Sequence, residues 1–197
     1  MSLSLAHRKA TQALNFFALQ SGGNINKLKV LKLLFFADRY HIRKYGRPVS
    51  ECEYFAMKHG PVASEAKRIA EDGEHLSATA RAYSRKYVRK HAAHDCASVA
   101  PVDASVLSAS DLEALKFAWK HFGQFDKYEL RDITHHYPEW KCHERALGSE
   151  SRVPMDYADF FNEPDPGFIP CHALTDDERA AALKLLSQRQ TFGQRWS

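Results

Sequence analysis

The residues best able to do chemistry are the eleven histidines and four cysteines, some of which lie close together in the chain. One group comprises His91, His94 and Cys96, and a second comprises His135, His136, Cys142 and His143. Imidazole and thiolate are the usual zinc ligands, but structural zinc sites use closely spaced pairs such as C-x2–4-C. Pro138 interrupts the second group, and the adjacent Cys142 and His143 should point apart. We therefore expect structural or solvent-facing histidines, no metal site and no cofactor.

The chain lacks the short motifs of the common catalytic and nucleotide-binding classes. It contains no G-x-x-x-x-G-K-[ST] phosphate loop, no G-x-S-x-G nucleophile elbow and no H-E-x-x-H zinc motif. A cysteine nucleophile with a histidine base stays open, because such pairs assemble in space rather than in sequence. We expect a protein that is not an enzyme, and keep an uncharacterised hydrolase as an alternative.

Cysteine usage and hydropathy indicate the compartment. The four cysteines, at positions 52, 96, 142 and 171, are widely spaced, which favours reduced thiols over a disulfide framework. No segment approaches the about 18 consecutive apolar residues that a membrane helix needs. The first residues do not follow the signal-peptide pattern, because their charges come after the first leucines. We expect a cytoplasmic protein with no membrane partner.

Charge is distributed unevenly along the 197 residues, although the formal net charge is only +4. Residues 1–60 carry ten Lys/Arg against three Asp/Glu, whereas residues 101–197 carry eleven Lys/Arg against sixteen Asp/Glu. A basic front and an acidic rear can steer an acidic partner to one face. The same balance argues against nucleic acid as a partner, because the domain as a whole is not strongly basic.

The most informative segment is a long helix predicted from about Lys27 to Tyr45. Its apolar residues cover most of the circumference, so we expect it at the centre of the core, with Leu31, Leu34 and Phe35 nearly inaccessible. Its basic residues recur at helical spacing and predict one water-facing edge. That edge comprises Lys29, Lys32, Arg39 and Arg43.

The remaining pattern completes a mostly α (α+β) fold: a compact helical domain with a small β hairpin or short sheet inserted after the long helix. The other predicted elements are a helix over 5–20, a cap at Asn24, a β segment over 49–57, a helix from Pro61 to about 72, strands near 87–88 and 97–99, helices begun by Ser110, Asp126 and Pro138, and a last helix begun by Thr175 after a Pro-rich linker.

Four segments occur in an order and at a spacing that resemble the Panacea domain, the SocA-like antitoxin family that includes phage-associated GepA-like proteins. They are Lys32–Asp38, Tyr45–Pro48, Tyr54–Val62 and Thr134–Trp140. The resemblance covers about residues 8–145. We therefore predict a Panacea-like antitoxin domain over 1–150, and a C-terminal extension over 151–197 whose final helix packs on the same domain.

This resemblance implies a bacterial or phage protein without catalytic residues, which binds and neutralises a cognate protein toxin. The alternatives are an adaptor that delivers a partner to a AAA+ protease, with residues 188–197 as the tether, the hydrolase already mentioned, and a DNA-binding autoregulator. The motif residues with a structural role are Leu33, Leu34, Asp38, Gly46, Pro48, Ala56, Gly60, Pro61, Val62, Thr134, His135, Pro138 and Trp140.

For partner binding we select exposed and mostly basic positions on or beside the long helix. They are Lys32, Arg39, Arg43, Tyr54, Lys58 and His59. If the toxin is acidic around its active site, reversing Arg39 and Arg43 to Glu should lower the association rate and leave the melting temperature nearly unchanged. Gly60 should adopt a backbone conformation that other residues avoid, or lie against a neighbouring helix.

Overall fold

The computed structural model describes the backbone of residues 3–195 and the side chains of residues 3–188. Within that part of the chain the protein is 52% helical, with eight α-helices and two three-stranded sheets, which confirms the predicted mostly α (α+β) class. The helices are α1 (Leu5–Gln20), α2 (Lys27–Tyr45), α3 (Ser64–Ala70), α4 (Ala78–Ser84), α5 (Ala109–Phe122), α6 (Lys127–Thr134), α7 (Pro138–Lys141) and α8 (Asp176–Arg195). Among these helices, none has the length and apolar character that crossing a membrane requires.

Helix α2 lies at the centre of the core and packs against α1, α5, α6 and strand residues on several sides. Leu31, Leu34 and Phe35 are all buried, as predicted. One detail of its start was wrong: the cap is Asn26, whose side chain accepts a hydrogen bond from the backbone of Leu28, and not Asn24. Asn24 instead begins a short strand, so the loop after α1 is extended rather than part of the helix.

Both sheets are antiparallel and small. The strands are β1 (Asn24–Asn26), β2 (Tyr54–Met57), β3 (Gly60–Ala63), β4 (Val88–His91), β5 (Asp95–Ser98) and β6 (Arg152–Pro154). One sheet has the order β1-β5-β4 and the other β3-β2-β6. The predicted pairing near residues 88 and 98 is confirmed by the β4–β5 ladder, and the β segment before residue 57 is confirmed as β2. Strands β1 and β6 were not predicted.

Two predicted helix starts were wrong. The helix assigned to Pro61 begins at Ser64, because Pro61 belongs to β3 and pairs with Ala56. Proline is tolerated there because β3 is an edge strand of its sheet. Helix α5 is capped by Ser108 rather than Ser110: Ser108 and Asp111 form the reciprocal capping box. Both registers place an acidic residue at the third position, so the sequence pattern alone did not distinguish them.

Residues beyond 150 pack on the rest of the chain. Strand β6 pairs with β2, and a 3-10 turn, Tyr157–Phe161, packs against α2 and buries Phe160 and Phe161. The predicted capping box of α8 is present, since Glu178 accepts hydrogen bonds from the backbone and hydroxyl of Thr175. The domain boundary near residue 150 stays a prediction.

Candidate functional site

Three of the four motif segments meet around a buried lysine, in what we call the Lys32 cluster (Lys32, Gly60, Pro61, Thr134, His135, Trp140). Lys32 is fully buried, and its Nζ donates a hydrogen bond of 2.7 Å to the carbonyl of Pro61. Gly60 has a φ of +91°, and a Cβ at that position would lie 2.6 Å from Thr134 Oγ1 and 2.7 Å from Lys32 Nζ. Gly60 therefore meets both predicted conditions, a left-handed backbone and close contact with a neighbouring element.

The second half of the cluster is an aromatic stack. The rings of His135 and Trp140 lie parallel, with centroids 3.7 Å apart, and Trp140 Nε1 donates to the carbonyl of Met57 at 2.9 Å. Burial lowers the pKa of His135 to about 4, and the charge of Lys32 adds to the effect. Burial also holds the pKa of Lys32 well below its ordinary value. The buried Trp140 side chain thus joins α7 to β2.

The acidic residue of the first motif organises the chain after α2. The buried Asp38 carboxylate accepts hydrogen bonds from the Ser50 amide, the Ser50 hydroxyl and the Tyr54 hydroxyl. Burial raises the pKa of Asp38 to about 6, although these bonds oppose the change. Tyr54, which we had placed among the partner-binding residues, is buried in this network.

The other motif residues shape the backbone or the core. Gly46 ends α2 with a φ of +69°, in the left-handed region that a helix C-cap uses. The motif residues that are buried are Leu33, Leu34, Asp38, Gly46, Ala56, Gly60, Pro61, Val62, Thr134 and Trp140. Pro48, His135 and Pro138 are half-buried.

The prediction that the basic edge of α2 faces water was wrong. Arg39 and Arg43 are buried, and Lys32 is buried as well, so three of the four residues of that edge do not reach water. Lys29 is half-buried, and its Nζ donates to the carbonyl of Gly123 at 2.8 Å. The prediction failed because charge type was taken as a sign of exposure. Residues far downstream cover this side of the helix.

The covering residues form an arginine cluster (Arg39, Arg43, Glu139, Asn162, Glu163). Arg39 Nη1 lies 2.5 Å from Glu139 Oε1, and both side chains are fully buried. The second Arg39 amino group donates to the carbonyl of Asn162 at 2.6 Å. Arg43 donates to the same carbonyl, and its Nη2 lies 2.5 Å from Glu163 Oε1. The two arginines therefore fasten the segment after residue 160 to α2.

Of the six residues predicted to bind a partner, only Lys58 and His59 are exposed. They form the turn between β2 and β3. Charge reversal at Arg39 and Arg43 is therefore no longer expected to spare the melting temperature, because it would bury two carboxylates beside others.

The outer face of the β3-β2-β6 sheet holds a shallow cavity that we call the sheet groove (Phe55, Met57, Val62, Lys67, Arg68, His75, Arg152). Alternation along β2 buries Tyr54 and Ala56 and leaves Phe55 and Met57 half-buried on the opposite face. The cavity has a volume of about 260 Å³. Its single acidic lining residue, Glu71, is bonded to lysines, and the Arg152 guanidinium lies 4.9 Å from the Phe55 ring centroid.

Comparison with known proteins identifies the chain at this point. Residues 30–141, more than half of the sequence, match the family described as antitoxin SocA-like, Panacea domain. The chain belongs to this family. No curated protein and no solved structure matches it. The matched range begins within α2 and ends with α7, so it contains the whole Lys32 cluster, whereas Asn162 and Glu163 of the arginine cluster lie beyond the Panacea match.

Immediately after the Panacea match, the side chains of Cys142, His143 and Asp159 come together. One candidate ligand atom from each lies within 4.8 Å of the others. The Cys142 sulfur lies 3.9 Å from Asp159 Oδ2, and one His143 ring nitrogen lies within 4.8 Å of the sulfur and of a carboxylate oxygen of Asp159. The expectation that Cys142 and His143 point apart was therefore wrong. The third member, Asp159, comes from the 3-10 turn, and no local spacing in the sequence links it to the pair.

The other cysteines offer no comparable chemistry. All four are free thiols, as predicted, and Cys52, Cys96 and Cys171 are buried. Burial raises the pKa of each of these three to about 12. Partial burial and Asp159 also raise the pKa of Cys142, which is the opposite of the activation that a cysteine nucleophile needs. Of the first predicted group, His91 and His94 are exposed while Cys96 is buried.

Proposed function

We propose that this protein is an antitoxin that binds and neutralises a cognate protein toxin by direct contact, in the cytoplasm of a bacterium, as part of a chromosomal or phage toxin–antitoxin system. The observation that carries the proposal is membership of the antitoxin SocA-like, Panacea domain family. The protein acts without catalysis. In support, the polar residues of its motifs bond to one another and to the backbone inside the domain, where a substrate would not reach them.

The toxin contacts the sheet groove and the adjoining turn at Lys58 and His59. Half-buried Phe55 and Met57 supply the apolar centre that an interface needs, and the basic rim fits an acidic segment of the toxin. An interface of ordinary size covers about 800 Å² on each partner. It would therefore extend from the groove across the hairpin turn.

The proposal is tested by co-expressing the protein with the product of the adjacent reading frame and measuring growth. The double variant Lys58→Glu/Arg152→Glu should lose neutralisation, because it reverses two exposed charges at this surface. The matched control Lys116→Glu/Lys120→Glu makes the same change of charge on α5 and should neutralise like wild type. Equal melting temperatures for the variants establish that folding is intact.

Toxin abundance distinguishes direct blocking from delivery to a protease. Under the proposal the toxin stays at constant level while growth recovers, and purified toxin and antitoxin co-elute. Toxin that disappears, and reappears in cells lacking a AAA+ protease, would support the adaptor function instead. Full neutralisation by the Lys58→Glu/Arg152→Glu variant would show that the toxin does not bind the sheet groove and the adjoining turn.

A further inference from the structure

We infer that Cys142, His143 and Asp159 bind a zinc ion that fastens the C-terminal extension to the Panacea domain. Cys142 and His143 lie in the turn after α7, and Asp159 lies in the 3-10 turn that packs on α2. The inference concerns a structural metal site and does not depend on the identity of any toxin.

The three donors suit zinc in type and in distance. Zinc binds thiolate, imidazole and carboxylate groups at about 2.0–2.3 Å, usually in a tetrahedron, which places neighbouring donor atoms about 3.5 Å apart. The donor atoms here already lie within 4.8 Å of one another, so small side-chain rotations would close the site around an ion. A water molecule would complete the fourth position, so the ion would have three protein ligands where closed structural sites have four. Harder cations such as magnesium and calcium prefer all-oxygen sites and fit this set poorly.

A second observation concerns a ring nitrogen of His143. His143 Nε2 is buried and has no hydrogen-bond partner within the described residues. A polar atom that lies out of contact with water and has no partner is unfavourable. Coordination of a metal ion by Nε2 would satisfy this nitrogen.

The contact between two of the donors is already present. The Cys142 thiol donates a weak hydrogen bond to Asp159 Oδ2, with sulfur and oxygen 3.9 Å apart. Zinc would take the place of the thiol proton between these two atoms, and binding would release that proton.

The position of the site gives the ion its role. Cys142 follows directly on the last matched residue of the Panacea domain, whereas Asp159 belongs to the segment beyond residue 150. The neighbouring arginine cluster joins the same two parts of the chain through Arg39 and Asn162. Zinc would be a second link between these two parts of the chain, and its binding free energy would stabilise the folded state.

The experiment uses the untagged full-length protein, kept reduced, and measures zinc content by mass spectrometry after dialysis. Cobalt(II) titration then reports the ligands, since a thiolate gives a near-ultraviolet charge-transfer band. We expect one zinc ion per chain, a thiolate–cobalt band, and a melting temperature that rises with zinc. Cys142→Ser should abolish all three, and Asp159→Asn should weaken zinc binding by more than about tenfold, the loss seen when only an outer-shell partner is removed.

Two controls make the result specific. Glu144→Gln removes an exposed neighbouring carboxylate, and His94→Ala removes an exposed histidine elsewhere, and both should bind zinc like wild type. The three buried thiols remain in the Cys142→Ser variant, so any thiolate–cobalt band that survives cannot come from the proposed site. Such a band, or stoichiometric zinc in either site variant, would overturn the inference. If Cys142→Ser does not fold, Asp159→Asn decides alone.

Discussion

Among the basic residues that helix α2 buries, Lys32 and Arg39 lie two turns apart and have opposite surroundings. Within the described part of the chain, Lys32 has one hydrogen bond, to a carbonyl, and no carboxylate partner, whereas Arg39 is paired with the buried carboxylate of Glu139. An ion taken out of water costs several kcal/mol unless a partner compensates it. A lysine can lose its proton under that pressure, but an arginine cannot. Burial accordingly lowers the pKa of Lys32, while Glu139 outweighs burial and raises the pKa of Arg39.

The difference separates two parts of the architecture. Every residue of the Lys32 cluster lies within the Panacea match, so this cluster holds the domain together from inside. The arginine cluster instead takes Asn162 and Glu163 from beyond the match. We infer that the lysine region is a closed structural centre, and that the arginine region attaches the C-terminal extension.

The largest expected effect comes from breaking the arginine pair. Arg39→Met should lower the free energy of unfolding by about 3–5 kcal/mol, because it leaves the Glu139 carboxylate buried without its partner. Urea denaturation measures the change. The double variant Arg39→Met/Glu139→Met should be more stable than Arg39→Met, since Arg39 Nε and Glu139 Oε2 have no hydrogen-bond partners among residues 3–188 even in the wild type. If Arg39→Met were as stable as wild type, Arg39 would lie on the water-facing edge that the sequence predicted.

The next effect tests how closely the Lys32 cluster is packed. Gly60→Ala should lower the free energy of unfolding by about 2–4 kcal/mol, from a positive φ together with contact against Thr134 and Lys32. Gly22→Ala is the matched control: its φ is +81°, but nothing lies within 4 Å of the added Cβ. It should cost only about 1 kcal/mol. Equal losses in thermal denaturation would mean that backbone conformation, and not packing, requires glycine at residue 60.

Lys32→Met should have a smaller effect at neutral pH, because it removes one hydrogen bond and also removes the burial of a cationic group. Its signature is pH dependence. The folded-state pKa of Lys32 is below 10.5, so the unfolded chain binds more protons, and the wild type gains stability as the pH rises towards 10.5. The variant lacks this gain. Urea unfolding at several pH values measures it, and a constant difference between the two proteins would contradict an unpaired lysine.

The sequence predicted what local pattern determines. Helical periodicity placed Leu34 and Phe35 in the core, and the glycine-proline step identified Gly60, because these constraints act between near neighbours. It failed where the deciding contact lies far away. Arg39 is covered by Asn162, and Cys142 meets Asp159, each across a stretch of chain that carries no periodic signal. Pro61 was misassigned for another reason, since proline is found both in the first turn of a helix and in edge strands.

The smallest effect at neutral pH is expected for His135→Phe, which keeps an aromatic ring beside Trp140 and removes a titrating group from the Lys32 cluster. At pH 7 the free energy of unfolding should stay within about 1 kcal/mol of wild type. The folded-state pKa of His135 is about 4, below its ordinary 6.5, so the unfolded chain binds the extra proton between these values.

Stability from neutral His135 is therefore present above pH 6.5 and lost as the pH falls towards 4, and the variant should become relatively more stable over that window. Asp38 acts in the opposite direction, because its pKa is raised to about 6 and its proton is held by the folded state. Comparing each variant with wild type at every pH separates the two, since Asp38 is unchanged in His135→Phe. An acid profile parallel to wild type would contradict this, because it would show that folding leaves the pKa of His135 unchanged.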